Sequence, residues 1–140
     1  MAELNIVEKV IALEAVDLFK NLSGEQLARI ASIAHQVHIA PGRTILEPKR
    51  EVDSLYVILD GEVSLVRGTD VIHTAKQGEV LGSWALFDPE PMAVEARAET
   101  DVLLLKIARG DFYDLLSDNM QITAAIFTTL VRRFRQLAGS

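Results

Sequence analysis

The spacing of apolar residues divides the chain into three parts, and the first part is helical. In the first 35 residues apolar side chains recur three or four positions apart, which predicts helices. Ser23 and Gln26 form a capping-box pattern, so we expect a helix to begin there. The apolar positions that continue this helix are Leu27, Ile30, Ala31 and Ala34. We expect it to end between His35 and Val37, which assigns residues 1–36 to the helical part.

Residues 37–108 consist of short apolar runs separated by glycine-containing turns. The run over residues 55–59 is typical of a buried strand, and the tight-turn dipeptide Asp60-Gly61 follows it. Residues 102–105 form a second continuous apolar run. Many short strands with frequent turns predict a β-sandwich or barrel.

Residues 111–138 return to helical spacing. Asp118 and Gln121 stand where they could cap a final helix. The apolar positions spaced four apart along it are Ile122, Ile126, Leu130 and Phe134. We expect this stripe to pack on the β-region or to face a protein partner, which includes a second copy of the chain. Three arginines near the end of the helix suit its C-terminal dipole.

Length and composition narrow the class of protein. A chain of 140 residues predicts a single domain over 1–140. The absence of cysteine excludes disulfides and thiolate chemistry. A formal net charge of −6 argues against direct nucleic-acid binding, because such binders depend on attraction to phosphate. The longest stretches without charge hold 13 residues, whereas a membrane span needs about 20. We therefore expect a cytoplasmic protein.

Candidate catalytic and metal-binding residues are few. His35 and His38 stand three apart but at the expected end of a helix, so we assign them no metal. Asp88 and Glu90 flank a proline, which favours solvated charges over a catalytic pair. The chain has no nucleophile elbow and no phosphate-binding glycine loop. We therefore expect neither an enzyme nor a bound cofactor.

Three motifs taken together resemble the cyclic nucleotide-binding domain of the catabolite activator type. They are residues 40–45 around Pro41-Gly42, residues 53–63 around the Leu-Tyr-Val-Ile strand and its glycine, and residues 78–82. The resemblance implies a mainly β protein with flanking helices, in which N-terminal helices and a C-terminal helix enclose a jelly-roll-like β-roll. It also implies a regulatory module that is found appended to larger proteins.

The ligand cassette of this family opens with Gly-Glu on a short helix and continues with Pro-Arg-Ala. The aligned pocket positions here are Gly82, Ser83, Trp84, Ala85, Leu86, Met92 and Ala93. Ser83 thus replaces the ribose-binding glutamate and Met92 the phosphate-binding arginine. Arg97 is the nearest downstream arginine, but it stands five residues after Met92, and an odd separation along a strand points to the other face.

Two interpretations of the altered cassette follow from the resemblance. In the first, the pocket does not bind cyclic AMP or cyclic GMP in the usual way, and the fold is a regulatory or interaction module. In the second, the chain is a true sensor of a cyclic nucleotide or another small molecule and signals through its C-terminal helix. A cyclic nucleotide is the one ligand that the resemblance suggests.

Overall fold

The computed structural model of the protein describes residues 3–88 and 93–139, except for the side chains of Trp84 and Ala85. The α-helices of the described residues are α1 (Ile6–Leu13), α2 (Gly24–Ala31), α3 (Arg109–Asp118) and α4 (Met120–Leu137). In the same residues, 3-10 helices cover Asp17–Phe19 and Ser83–Leu86. The strands are β1 (Ala34–Ile39), β2 (Thr44–Leu46), β3 (Ser54–Asp60), β4 (Val63–Arg67), β5 (Asp70–Ala75), β6 (Val80–Leu81), β7 (Glu95–Ala98) and β8 (Val102–Ala108).

The strands form two four-stranded antiparallel sheets. Their orders are β1-β8-β3-β6 and β2-β7-β4-β5, so consecutive strands often lie in different sheets. The helices flank the first sheet. The predicted mainly β architecture with flanking helices is confirmed.

The first sheet is buried on both faces, and this explains the continuous apolar runs in its central strands. In β3, Leu55 and Val57 face the helices, whereas Ile58 faces the second sheet. In β8, Leu105 belongs to the helical core and Leu104 to the core between the sheets. Because side chains alternate along a strand, a strand between two apolar layers must be apolar at nearly every position.

Side-chain caps fix where the first two helices begin. Ser23 Oγ accepts a hydrogen bond from Gln26 N at 3.1 Å, and Gln26 Oε1 accepts from Ser23 N at 2.9 Å. The capping box predicted for α2 is therefore confirmed. A second box joins Asn5 and Glu8 at the start of α1.

The end predicted for α2 is wrong. The helix ends at Ala31, and Ala34 begins β1, which pairs with β8 from Ala34↔Ile107 to Ile39↔Val102. A buried Ala34 fits either a helix or a strand, and pairing with the central strand decides between them. The β-region thus begins three residues before residue 37.

The junction of α3 and α4 also differs from the prediction. Helix α3 begins at Arg109, two residues earlier than expected, and Asn119 rather than Asp118 precedes α4. Asn119 Nδ2 donates to Leu115 O at 2.7 Å, so this side chain closes the end of α3 and does not cap α4.

No helix in the described residues is long and apolar enough to cross a bilayer.

The predicted apolar stripe of α4 does not lie on one face. Ile122 and Ile126 are 1% and 2% exposed in the core of the chain itself, and Leu130 packs against that core. Phe134 is 71% exposed. Each four-residue step turns about 40° beyond a full helical turn, so three steps carry Phe134 about 120° away from Ile122. Ile122 and Ile126 therefore cannot serve as partner contacts while α4 is docked.

Candidate functional site

The residues aligned to the ligand cassette lie on the short turn that follows β6. Strand β6 pairs with β3 through Tyr56↔Leu81 and Val57↔Val80, which anchors the turn to the central sheet. Gly82 has a φ of +74°, a conformation that favours glycine. The 3-10 helix Ser83–Leu86 follows directly.

The structure describes some of the predicted pocket residues, and their grouping into a pocket stays a prediction. Ser83 is half-buried, and Leu86 is fully buried in the helical core. Ala93 is exposed at the start of the segment that leads into β7. Met92 and the side chains of Trp84 and Ala85 lie outside the described residues.

An aromatic chain connects this turn to the helices. The rings of Phe87 and Phe112 meet edge to face with centroids 6.0 Å apart, and Phe112 lies 6.1 Å from Phe19. The Tyr113 hydroxyl lies 3.5 Å from the carbonyl oxygen of Phe87. No sequence pattern assigned Phe87 or Phe112 to the site, because their apolar character indicates only burial.

Arg97 lies on the outer face of the second sheet. Its guanidinium binds both carboxylate oxygens of Glu95 at 3.0 Å, and Thr44 Oγ1 donates to the same carboxylate at 3.0 Å. The hydrogen bond from Thr44, followed by that from Arg97, holds the pKa of Glu95 below its usual value. Ala96 and Ala98, on the opposite face of β7, are buried between the sheets.

The carboxylate of Glu79 stabilises the turn that precedes the cassette. Glu79 Oε1 lies 2.7 Å from His73 Nε2, and Glu79 Oε2 accepts from the backbone of Lys76 at 2.6 Å. The contact with His73 and then that with Lys76 hold the pKa of Glu79 below its usual value. Its carbonyl oxygen also accepts from Ile58 N at 2.9 Å, so Glu79 ties this turn to β3 and β5.

The loop before β3 carries unfavourable backbone geometry. Lys49 has a φ of +67°, and among the described residues it is the one non-glycine residue with positive φ. Arg50 Nε lies 2.9 Å from Glu47 Oε2 on the surface of this loop. Further along, burial and then the charge of Asp53 raise the pKa of Tyr56.

The described residues contain no group of three or more side chains that could hold a metal ion. His35 and His38 lie on β1 at an odd separation, so they face opposite sides of the sheet. His38 Nε2 instead lies 3.2 Å from Asp101 Oδ1.

Known proteins resemble this chain over most of its length. The regulatory subunit of cAMP-dependent protein kinase from Emericella nidulans is 30% identical over 106 residues, which cover 74% of this chain and 26% of that protein. The CRP-like cAMP-activated global transcriptional regulator of Mycobacterium tuberculosis is 22% identical over 124 residues, which cover 85% of this chain and 55% of that protein. The chain thus spans about a quarter of the first of these relatives and about half of the second.

Solved structures share the fold. The N-terminal domain of a transcriptional regulator from Streptomyces coelicolor A3(2) superposes with a TM-score of 0.85 at 28% identity, covering 92% of this chain and 96% of that one. A cyclic nucleotide-binding-like protein from Brucella abortus gives a TM-score of 0.72 at 26% identity, and the superposition covers 78% of this chain and 97% of that one. The family model described as the cyclic nucleotide-binding domain matches residues 36–119. The chain therefore belongs to the cyclic nucleotide-binding domain family, as its sequence motifs predicted.

Proposed function

We propose that this chain is a non-enzymatic regulatory module whose cassette does not bind cyclic AMP or cyclic GMP in the manner usual for its family. The observation that carries the proposal is the pair of replacements at Ser83 and Met92. The first removes the carboxylate that would accept a hydrogen bond from the ribose hydroxyl. The second removes the cation that would neutralise the cyclic phosphate.

These two replacements should weaken the binding of a cyclic nucleotide strongly. Leaving one member of a buried, hydrogen-bonded charge pair without its partner costs about 2–5 kcal/mol. At about 1.4 kcal/mol per tenfold, this corresponds to a loss of roughly 30-fold to several thousandfold in affinity. A site tuned to about 1 μM ligand would then bind with a dissociation constant between about 30 μM and several millimolar.

The charges near the turn support the proposal. Arg97 is engaged by Glu95 on the face of β7 that points away from the core between the sheets. Arg97 is therefore already engaged and does not stand in for the arginine that Met92 replaces.

The output of the module is a protein contact made by α4. This helix has a buried face and, separately, exposed apolar side chains, which include Phe127 at 62% exposure and Phe134 at 71%. Large apolar side chains grouped on one exposed face mark an interaction surface. Two of the relatives are a regulatory subunit of a protein kinase and a transcriptional regulator, which supports a regulatory role for this module.

Calorimetry tests the ligand half of the proposal. Cyclic AMP, cyclic GMP and cyclic dinucleotides are titrated against the wild type and against the double variant Ser83→Glu/Met92→Arg. We expect no binding at micromolar concentrations by the wild type and a gain of at least 30-fold for a cyclic mononucleotide in the double variant. Micromolar binding by the wild type would overturn the proposal, and no gain in the double variant would contradict the cassette alignment.

The second candidate function is that of a sensor for a less charged ligand. The observation that favours it is the aromatic chain Phe87–Phe112–Phe19, which joins the end of the cassette to α3 and to the N-terminal helices. Movement of the turn would reach the helical layer through these rings. A ligand of this kind would raise the melting temperature of the wild type. Phe112→Leu would still bind the ligand, but it would weaken the conformational coupling between the cassette turn and α4.

A further inference from the structure

A groove runs between α2 and the junction of α3 with α4. It consists of two hollows of about 480 and 410 Å³ that share Arg29, Asp118 and Asn119, so they form one continuous surface. The first hollow extends to Ser23 at the start of α2, and the second extends to Asp111 near the start of α3. We call this surface the α2–α3 groove.

Two antiparallel helices form the walls of the groove. Ser23 and Glu25, where α2 begins, line the same hollow as Asp118, where α3 ends. Ser32, just after α2, lines the other hollow together with Asp111. The α3 wall from Asp111 to Asp118 is about 10 Å long at 1.5 Å per residue, which is about two helical turns. A groove between two helices accepts a third helix, because the side-chain ridges of one helix pack into the grooves of others.

Apolar side chains line the groove together with charged ones. Ile33 and Leu115 are half-buried and pack against the helical core, and Ile122 is 1% exposed. Met120 lines one end of the groove and is 71% exposed. A partner with apolar side chains would bury Met120 and the exposed parts of Ile33 and Leu115, which favours binding.

Carboxylates outnumber cations along the groove. Helix α3 contributes Asp111, Asp114 and Asp118, whereas α2 contributes Glu25 and a single cation, Arg29. All five side chains are exposed. Within the part of the chain that the structure describes, none of the five forms a hydrogen bond or an ion pair. The groove therefore presents unpaired negative charge beside its apolar side chains.

The negative charge favours one class of partner. Asp111 and Asp114 stand three apart on α3, and Asp114 and Asp118 stand four apart, which are spacings at which like charges repel each other. Several carboxylates elsewhere on the surface are paired with cations, as Glu95 is with Arg97. Cations from a partner would relieve the repulsion along α3. Nucleic acids and anionic membranes carry negative charge themselves, so the groove repels them.

We propose that the α2–α3 groove binds an amphipathic helix of a partner protein that carries lysine or arginine along one edge and apolar side chains beside them. The cations face the carboxylates of α3, and the apolar side chains contact Met120, Ile33 and Leu115. The inference goes beyond the proposed function, because the residues described as lining the groove include neither the cassette nor Phe127 and Phe134 of α4.

Selection from a displayed library of random peptides tests the proposal. The peptides are about 16 residues long, a length at which a helix can form. They are selected on the whole chain, and their affinities are then measured for the wild type and for Asp111→Asn/Asp114→Asn/Asp118→Asn. We expect selected peptides with lysine or arginine every three or four residues. Their affinity should fall roughly tenfold in the triple variant, since each exposed ion pair contributes little, and it should also fall as salt screens the charges.

A matched control separates the groove from the net charge of the chain. Glu51→Gln/Asp70→Asn/Glu99→Gln removes three exposed carboxylates outside the groove and changes the net charge by the same amount. This control should bind the selected peptides as tightly as the wild type does. Thermal melts should show both triple variants folded, because all six positions are exposed.

Three results would overturn the proposal. The first is a selected set that contains no cationic peptide. The second is a set of cationic peptides that keep their affinity for the groove variant. The third is an equal loss of affinity in both triple variants, which would show that the peptides respond to the overall charge and not to the groove. Met120→Ser should weaken the same peptides without a change of charge, and this loss would support contact with the apolar end of the groove.

Discussion

Arg133 forms an ion pair with Asp17, and this pair joins the second half of α4 to the 3-10 helix Asp17–Phe19. Asn21 reinforces the connection, because its Nδ2 donates to Thr129 Oγ1 at 2.6 Å and its Oδ1 accepts from Arg132 Nη1 at 3.2 Å. Thr129 is only 1% exposed, so its hydrogen bond is shielded from water. Polar contacts thus secure the second half of α4, whereas buried isoleucines secure the first.

Removing the central polar contact should loosen one half of the helix selectively. Asn21→Ala leaves the buried hydroxyl of Thr129 without its amide partner, and we expect a loss of about 1 kcal/mol. Hydrogen exchange should accelerate over residues 129–137 and remain unchanged over residues 120–126. Asp17→Asn is the matched variant, and it should have a smaller effect because exposed ion pairs contribute about 0–1 kcal/mol. Uniform acceleration along α4 would contradict this division of the helix.

Two adjacent residues of α4 should respond oppositely to truncation. Ile126 is 2% exposed and Phe127 is 62% exposed. Ile126→Ala removes packed atoms and leaves a cavity, so it should lower the free energy of unfolding by about 2–5 kcal/mol. Phe127→Ala should change it by less than about 0.5 kcal/mol in the monomer. Chemical denaturation at low protein concentration measures both, and equal losses would show that Phe127 belongs to the core of the monomer.

The limits of sequence-based prediction in this chain have specific physical causes. The strand at residues 55–59 and the capping box at Ser23 were predictable, because continuous apolar runs and local caps depend on nearby residues. The end of α2 was not, since Ala34 satisfies a helix and a strand equally and its pairing with Ile107 depends on a residue far along the chain. The α4 stripe was misjudged because a four-residue spacing slowly winds around the helix.

The candidate site was predictable to a different extent. The motif order led to the cassette and to the substitutions at Ser83 and Met92. The engagement of Arg97 by Glu95 was not foreseen. The expected separation of Arg97 from Met92 stays a prediction, because Met92 lies outside the described residues. The aromatic contact between Phe87 and Phe112 joins residues far apart in sequence, which no local pattern indicates.

Gly61 should tolerate no side chain. Its φ is +97°, and a Cβ there would collide with the carbonyl oxygen of Asp101. Gly68 has a φ of +64° but open space around it, so Gly68→Ala reports the backbone cost alone, about 1–2 kcal/mol. Gly61→Ala should lose clearly more free energy of unfolding than Gly68→Ala, as measured by denaturation. Similar losses for the two variants would show that the backbone at Asp101 and Val102 can move away from a Cβ at position 61.

Lys49 should be a site of stabilisation. Its φ of +67° costs a residue with a side chain about 1–2 kcal/mol, whereas glycine adopts it freely. Part of this gain is offset by the larger unfolded-state entropy of glycine, so Lys49→Gly should gain about 0.5–1 kcal/mol. Lys49→Ala is the control, because it removes the charge and keeps the Cβ. If Lys49→Ala stabilises as much as Lys49→Gly, charge rather than backbone geometry is responsible.

Glu79 should make stability depend on pH in the acidic range. Its pKa lies below the usual 4.5, chiefly because of the contact with His73. A carboxylate whose pKa is lower in the folded state stabilises the protein fully above the unfolded pKa and loses that effect as the pH falls through the folded pKa. The wild type should therefore lose stability more steeply than Glu79→Gln below pH 4.5. His73→Ala removes the main cause of the low pKa, so its denaturation midpoints below that pH should follow Glu79→Gln more closely than the wild type. Parallel pH profiles for all three proteins would exclude Glu79 as a source of acid sensitivity.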